Sequence, residues 1–307
     1  MLSVLLAQQL AVLFLIMGCG FVLVKTGLVQ SRESRTLSVI TLYLIMPCVI
    51  LNAFQIDYSD QIRDGLILAF LAGAAIHAVL FALVGLLGRV FRLEAVEKAS
   101  LIYSNAGNLI IPLVTSVLGP QQVIYASGFL CVQTVFLWTH GQSLMRGTAS
   151  ISWKKLLCNI NLLASLAGIL LFVTGIHLPL VLEDTLSTLA STIGPVSMLV
   201  VGMLLADVSW SQVLARKRIY GIVFLKMIVI PGTVLLLLRA AAPFVPVAGA
   251  SDILFISLMA VITPSATTIT QMAQIYDRGA SYASSINVLT TLVCIATMPL
   301  MAFFYML

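Results

Sequence analysis

Asn105, Gly107, Asn108 and Pro112 stand together in the apolar run YSNAGNLIIPLV (103–114), where each weakens a helix. Proline lacks a backbone donor, and its ring crowds the carbonyl four residues earlier. Pro112 is therefore expected to free the carbonyl of Asn108, and Asn105 and Asn108 carry amides able to satisfy freed backbone and hold a ligand. A second set lies in TPSATT (263–268). There Pro264 frees the carbonyl of Ala260. Thr263 is expected to cap a restarting helix, Pro264 to take its first position, and Ser265, Thr267 and Thr268 to present hydroxyls on the next turn. A helix restarted in this way carries about half a positive charge at its N-terminal end. Two such ends facing one another favour an anion, notably a carboxylate, without a formal cation.

The elements that must position these residues are membrane helices. Of 307 residues, 61% are hydrophobic and 9% charged, with a mean hydropathy of +1.12; soluble domains carry about a quarter charged residues. Ten apolar spans can be drawn, at 3–25, 36–54, 65–88, 99–118, 122–144, 156–176, 185–206, 219–240, 252–274 and 281–305. Each is near the roughly 20 residues that cross a bilayer. In hydrocarbon an unpaired carbonyl costs several kcal/mol, so broken backbone at this depth is expected to line a cavity. The plain alternative is that each proline only kinks a packed helix. The N-terminus has no basic residue before Lys25 and reads as a first span rather than a cleaved signal.

Basic residues set the orientation. Thirteen of the sixteen Lys and Arg lie in odd-numbered connections, only Arg63 and Arg239 in even ones, and Lys226 within a span. By the positive-inside rule the odd connections are cytoplasmic and both termini face outward. The net charge of +5 thus reads as a topology signal, and with no basic stripe interleaved with aromatics it implies no nucleic-acid partner. Ten spans divide into two halves of five, 1–147 and 148–307, which must be inverted relative to one another. Pro47 and Pro195, Arg89 and Arg239, and Pro112 and Pro264 recur at similar separations. Inverted repeats with paired, Gly/Pro-interrupted spans are the architecture of many secondary transporters.

Two ionisable residues fall within spans. His77 lies near the centre of span 3, and Lys226 about 10 Å into span 8. Shifted by the repeat offset, His77 maps beside Lys226, which makes the pair candidates for proton coupling or substrate attraction. A hydrogen-bonded interior histidine and a snorkelling lysine are the alternatives. His140, His177 and Asp207 sit near span ends; Asn52, Gln133 and Asn287 are amides that helix–helix bonding explains equally well. Five scattered cysteines form no CxxC or Cys/His cluster, so no metal or cofactor is expected. Asp57, Asp207 and Asp252 are all terminal, which argues against a buried carboxylate pair. Phosphate-loop, GxSxG and HExxH motifs are missing, and no enzyme activity is expected.

NAGNLIIP (105–112), the P-S-A…A-Q-I-Y run at 264–276, GPVSMLVVG (194–202) and MPCVILNAF (46–54) together resemble the auxin efflux carrier family, over essentially the whole chain. Its bacterial members include malonate and malate carriers. The resemblance implies an all-α integral membrane fold of ten helices, two inverted five-helix repeats with broken, crossing helices 4 and 9, similar to bile-acid symporters and sodium/proton antiporters. It implies a scaffold and dimer interface from spans 1, 2, 6 and 7, and a transport domain from spans 3–5 and 8–10 that moves as an elevator. Asn105, seven residues before Pro112, matches the family's substrate-contacting Asn, and Pro264 its second crossover position. The long cytoplasmic loop of the plant members is missing, and Ile269 replaces a second proline they carry; both argue against auxin as substrate. The expectation is a bacterial inner-membrane secondary transporter of a mono- or dicarboxylate, coupled to a proton or sodium gradient. A ligand receptor without flux and a sodium-coupled bile-acid-type symporter are the alternatives.

Overall fold

The computed structural model describes residues 2–148, 157–208, 213 and 216–307, with their side chains except at 2–7, 10, 108 and 116. Lys154 and Lys155, counted above as cytoplasmic charges, lie outside the described residues, as does the side chain of Asn108.

The chain is all-helical among these residues, apart from one isolated β-bridge. The helices are α1 (Leu2–Lys25), α2 (Ser31–Ala53), α3 (Asp60–Val90), α4 (Ala95–Ile102), α5 (Ala106–Val117), α6 (Pro120–Arg146), α7 (Ile160–Thr174), α8 (Leu180–Ala206), α9 (Arg218–Phe244), α10 (Ala250–Ile262), α11 (Thr267–Ile275) and α12 (Ala280–Met306). Six of them, α2, α3, α6, α8, α9 and α12, are long and apolar enough to cross a membrane. The expected spans 4 and 9 are each two helices, α4/α5 and α10/α11, joined by extended backbone. Local sequence sets the ends. Ser59 accepts from the Ile62 amide to start α3, Asn159 accepts from the amides of Asn161 and Leu162 to start α7, and Gly175 ends α7 at φ 65°, a conformation that glycine adopts without a Cβ penalty.

Helices without water between them associate by close packing at small residues. α1 crosses α8 so closely that a Cβ on Gly202 would collide with the Met17 carbonyl and one on Gly20 with that of Leu199. α3 packs on α6 through Ala69 and Gly128. Helices α7 and α8 also lie on the second half of α2, while α10 is enclosed by α3, α6, α9 and α12. α10 is buried along its length, from Ile253 to Ile262 without interruption. Three helices each contain one π-helical turn, at Thr41–Ile45, Leu137–Gly141 and Leu225–Val229. Such turns often mark functional positions; the first two contribute residues to the cavity described below, and the third carries Lys226, which bonds Ser104.

Candidate functional site

The first break lies at Tyr103–Asn105, not at Pro112. Tyr103 is extended (φ −95°, ψ 126°) and α5 starts at Ala106, running through Pro112 to Val117. Pro112 instead packs against α8, where a Cβ on Gly194 would meet its ring carbon at 3.2 Å. The second break runs from Thr263 to Ala266, both extended. Here too the expected capping is reversed. Thr263 closes the end of α10, its hydroxyl donating to the Ala260 carbonyl at 2.8 Å, which is the group that Pro264 frees. Pro264 and Ser265 lie outside both helices, and α11 begins at Thr267 with Ala266 before it.

The two breaks satisfy one another. The Asn105 amide donates to the Pro264 carbonyl at 2.7 Å and the Ala266 amide to the Tyr103 carbonyl at 3.0 Å, a one-residue antiparallel bridge between Ser104 and Ser265. The carbonyls left over find side-chain amides. Gln133 Nε2 donates to Ser104 O at 2.9 Å, and Asn287 Nδ2 donates to Ser265 O. Ser265 N donates to Thr290 Oγ1, and Ser104 Oγ to the Val261 carbonyl, each at 3.2 Å. This accounting removes the several kcal/mol that bare backbone would cost at this depth. It also explains why neither break is visible from proline alone: the partner groups come from α6 and α12.

Lys226 does not snorkel. It is fully buried in the π-turn of α9, and its Nζ donates to Ser104 Oγ at 2.7 Å and to the Leu101 carbonyl at 3.2 Å. His77 is also fully buried, with Nδ1 2.7 Å from the Gly73 carbonyl and the ring stacked on Phe136. Near the start of α4, the fully buried Glu97 takes two bonds from Arg218, at 2.6 and 2.8 Å, and one from the Tyr282 hydroxyl at 2.9 Å.

In front of the bridge lies a cavity of about 550 Å³. Of the sequence-stated candidates, Asn105, Gly107, Thr267 and Thr268 line it; Pro112, Thr263, Pro264, Ser265, His77 and Lys226 do not. Ser104, Gln133, Asn159, Asn161, Gln271 and Tyr276 are among its other polar lining residues, and no charged side chain lines it among the described residues. Gln271 was legible in principle, one turn beyond Thr267 on the same face of α11. Asn159 and Asn161 were not, because only folding brings the start of α7 against the crossing. The polar groups on the wall are neutral donors and acceptors set among apolar side chains such as Met46, Leu130, Val201 and Met272, and the N-terminal ends of α5 and α11 open onto it.

Polytopic helices around an uncharged cavity, built on paired breaks, define a membrane protein of the transporter class. A family profile described as membrane transport protein matches residues 5–150 and 144–302. The chain belongs to that family, the one named above for the auxin efflux carriers. No curated protein matches the chain.

Proposed function

We propose that this chain is a secondary active transporter of a small organic anion, a mono- or dicarboxylate, bound where α5 and α11 begin. The observation that carries the reading is the meeting of two helix N-termini at a cavity whose polar groups are neutral amides and hydroxyls within a largely apolar wall. Such ends attract an anion, and broken helices joined at mid-membrane are where transporters hold substrate. Asn105, Gly107, Thr267 and Thr268 orient the carboxylate, with Gln133 and Gln271 beside them.

In this reading the chain spans the inner membrane ten times, as two inverted repeats with both termini outside. The α4/α5 and α10/α11 breaks are equivalent through Ser104 and Ser265, rather than Pro112 and Pro264. α1, α2, α7 and α8 form the scaffold and homodimer face, and the remaining helices carry substrate as an elevator. The cavity is bordered by Ser38, Asn159, Leu204 and Tyr276, near the basic connections, so it faces the cytoplasm.

Counterflow of labelled acetate, lactate, malonate and malate in proteoliposomes tests the proposal, with Asn105→Ala alongside. One anion should show saturable exchange, reduced about tenfold or more in the variant, the equivalent of one lost hydrogen bond to a charged group. Binding without flux would establish a receptor instead. With neither binding nor flux, the anion-carrier reading fails.

A further inference from the structure

We infer that Lys226 is a tethered cation, filling the place at the end of α4 where a free cation would bind and serving through Ser104 as the countercharge of the transported anion. The inference rests on the anion-carrier reading above for its second half only.

The geometry is that of a cation site with the cation attached. Leu101 is one of the last residues of α4, and its carbonyl belongs to the negative end of that half-helix. Backbone carbonyls at the ends of broken helices are where transporters coordinate sodium. Here Nζ takes the Leu101 carbonyl and the Ser104 hydroxyl, both oxygen ligands. Among the described residues no carboxylate pairs with Lys226. The titratable side chains whose fields it shares are His77 and Cys294, and neither supplies an anion in contact.

The second break offers no such place. Its Ala260, Val261 and Ile262 carbonyls receive Thr263 Oγ1, Ser104 Oγ and Cys294 Sγ, all neutral. Among the described residues the crossing therefore holds one basic side chain and no carboxylate paired with it. A buried unpaired charge is costly, and a protein retains one where something compensates it. Ser104 is the link: it accepts from Lys226 and also lines the cavity. An anion in the cavity supplies the missing charge, and Lys226 acts on it as a positioning residue.

Two measurements on the purified full-length protein decide the matter. The first uses thermal unfolding in detergent of wild type and Lys226→Ala. Sodium in place of choline should leave the wild type unmoved. Methylammonium should raise the midpoint of Lys226→Ala saturably, while tetramethylammonium, too large for the vacated space, should not. A variant indifferent to methylammonium, or a wild type stabilised saturably by sodium, overturns the inference.

The second uses malonate and lactate uptake by wild type and Lys226→Met, which keeps the bulk and removes the charge. KM should rise about tenfold with maximal rate nearly kept, the effect of one charge roughly 10 Å away at intermediate dielectric. Wild-type uptake should be the same in sodium and choline. An unchanged KM, or strict sodium dependence, overturns the countercharge role. If wild type handles no carboxylate at all, the anion-carrier reading falls, and the methylammonium result alone decides whether Lys226 occupies a cation place.

Discussion

The two half-helices α4 and α10 end at the same bridge, yet they are secured in opposite ways. α4 is held by charge at both ends, Glu97 with Arg218 near its start and Lys226 at its finish. α10 is sunk in apolar side chains from Ile253 to Ile262, and its final carbonyls are closed by hydroxyl and thiol groups. The difference shows that breaking a helix in a low-dielectric setting has two solutions. One is local and neutral, a threonine folded back on its own last turn. The other is long-range and charged, and it ties the break to a distant helix, here α9.

The largest expected effect comes from reversing the charge at the end of α4. Lys226→Glu would set a carboxylate against the Leu101 carbonyl and the negative end of the half-helix. It should cost more than the roughly 3–5 kcal/mol of an orphaned buried charge and abolish recovery of folded, monodisperse protein. Next, Arg218→Gln leaves Glu97 buried without its cation. Because Arg218 is half-exposed, we expect about 2–3 kcal/mol rather than the full penalty, read as a lower midpoint in mixed detergent–SDS unfolding.

The two amides sharpen the comparison further. Gln133→Leu and Asn287→Leu each remove the donor to a bridge carbonyl, and each should cost about 1–3 kcal/mol in the same assay. Only Gln133 also lines the cavity, so only Gln133→Leu should raise the KM of the transported anion. Equal KM effects for both would place substrate elsewhere. The smallest effect is at the neutral cap: Thr263→Ala, leaving Ala260 O without its donor, should cost about 1 kcal/mol, while Thr263→Ser should retain stability.

Much of this molecule was present in the order of its residues. Hydropathy made it a membrane protein, because an apolar run of about 20 residues has one stable place. The Asn/Gly/Pro and Thr/Pro/Ser clusters marked spans 4 and 9 as irregular, because few residue types interrupt a membrane helix. Where each interruption falls was not legible. Pro112 signalled a break that lies at Ser104, since a proline is tolerated within a helix where packing against Gly194 holds it, and backbone opens where Gln133, Asn287 and a second open strand can pair it. Lys226 shows the same limit. Its depth along α9 was readable from sequence, but its partner was not. Only the fold brings an oxygen pair from α4 and Ser104 within 3.2 Å of its ammonium, and electrostatics inside a membrane protein are decided by such partners, not by position in the chain.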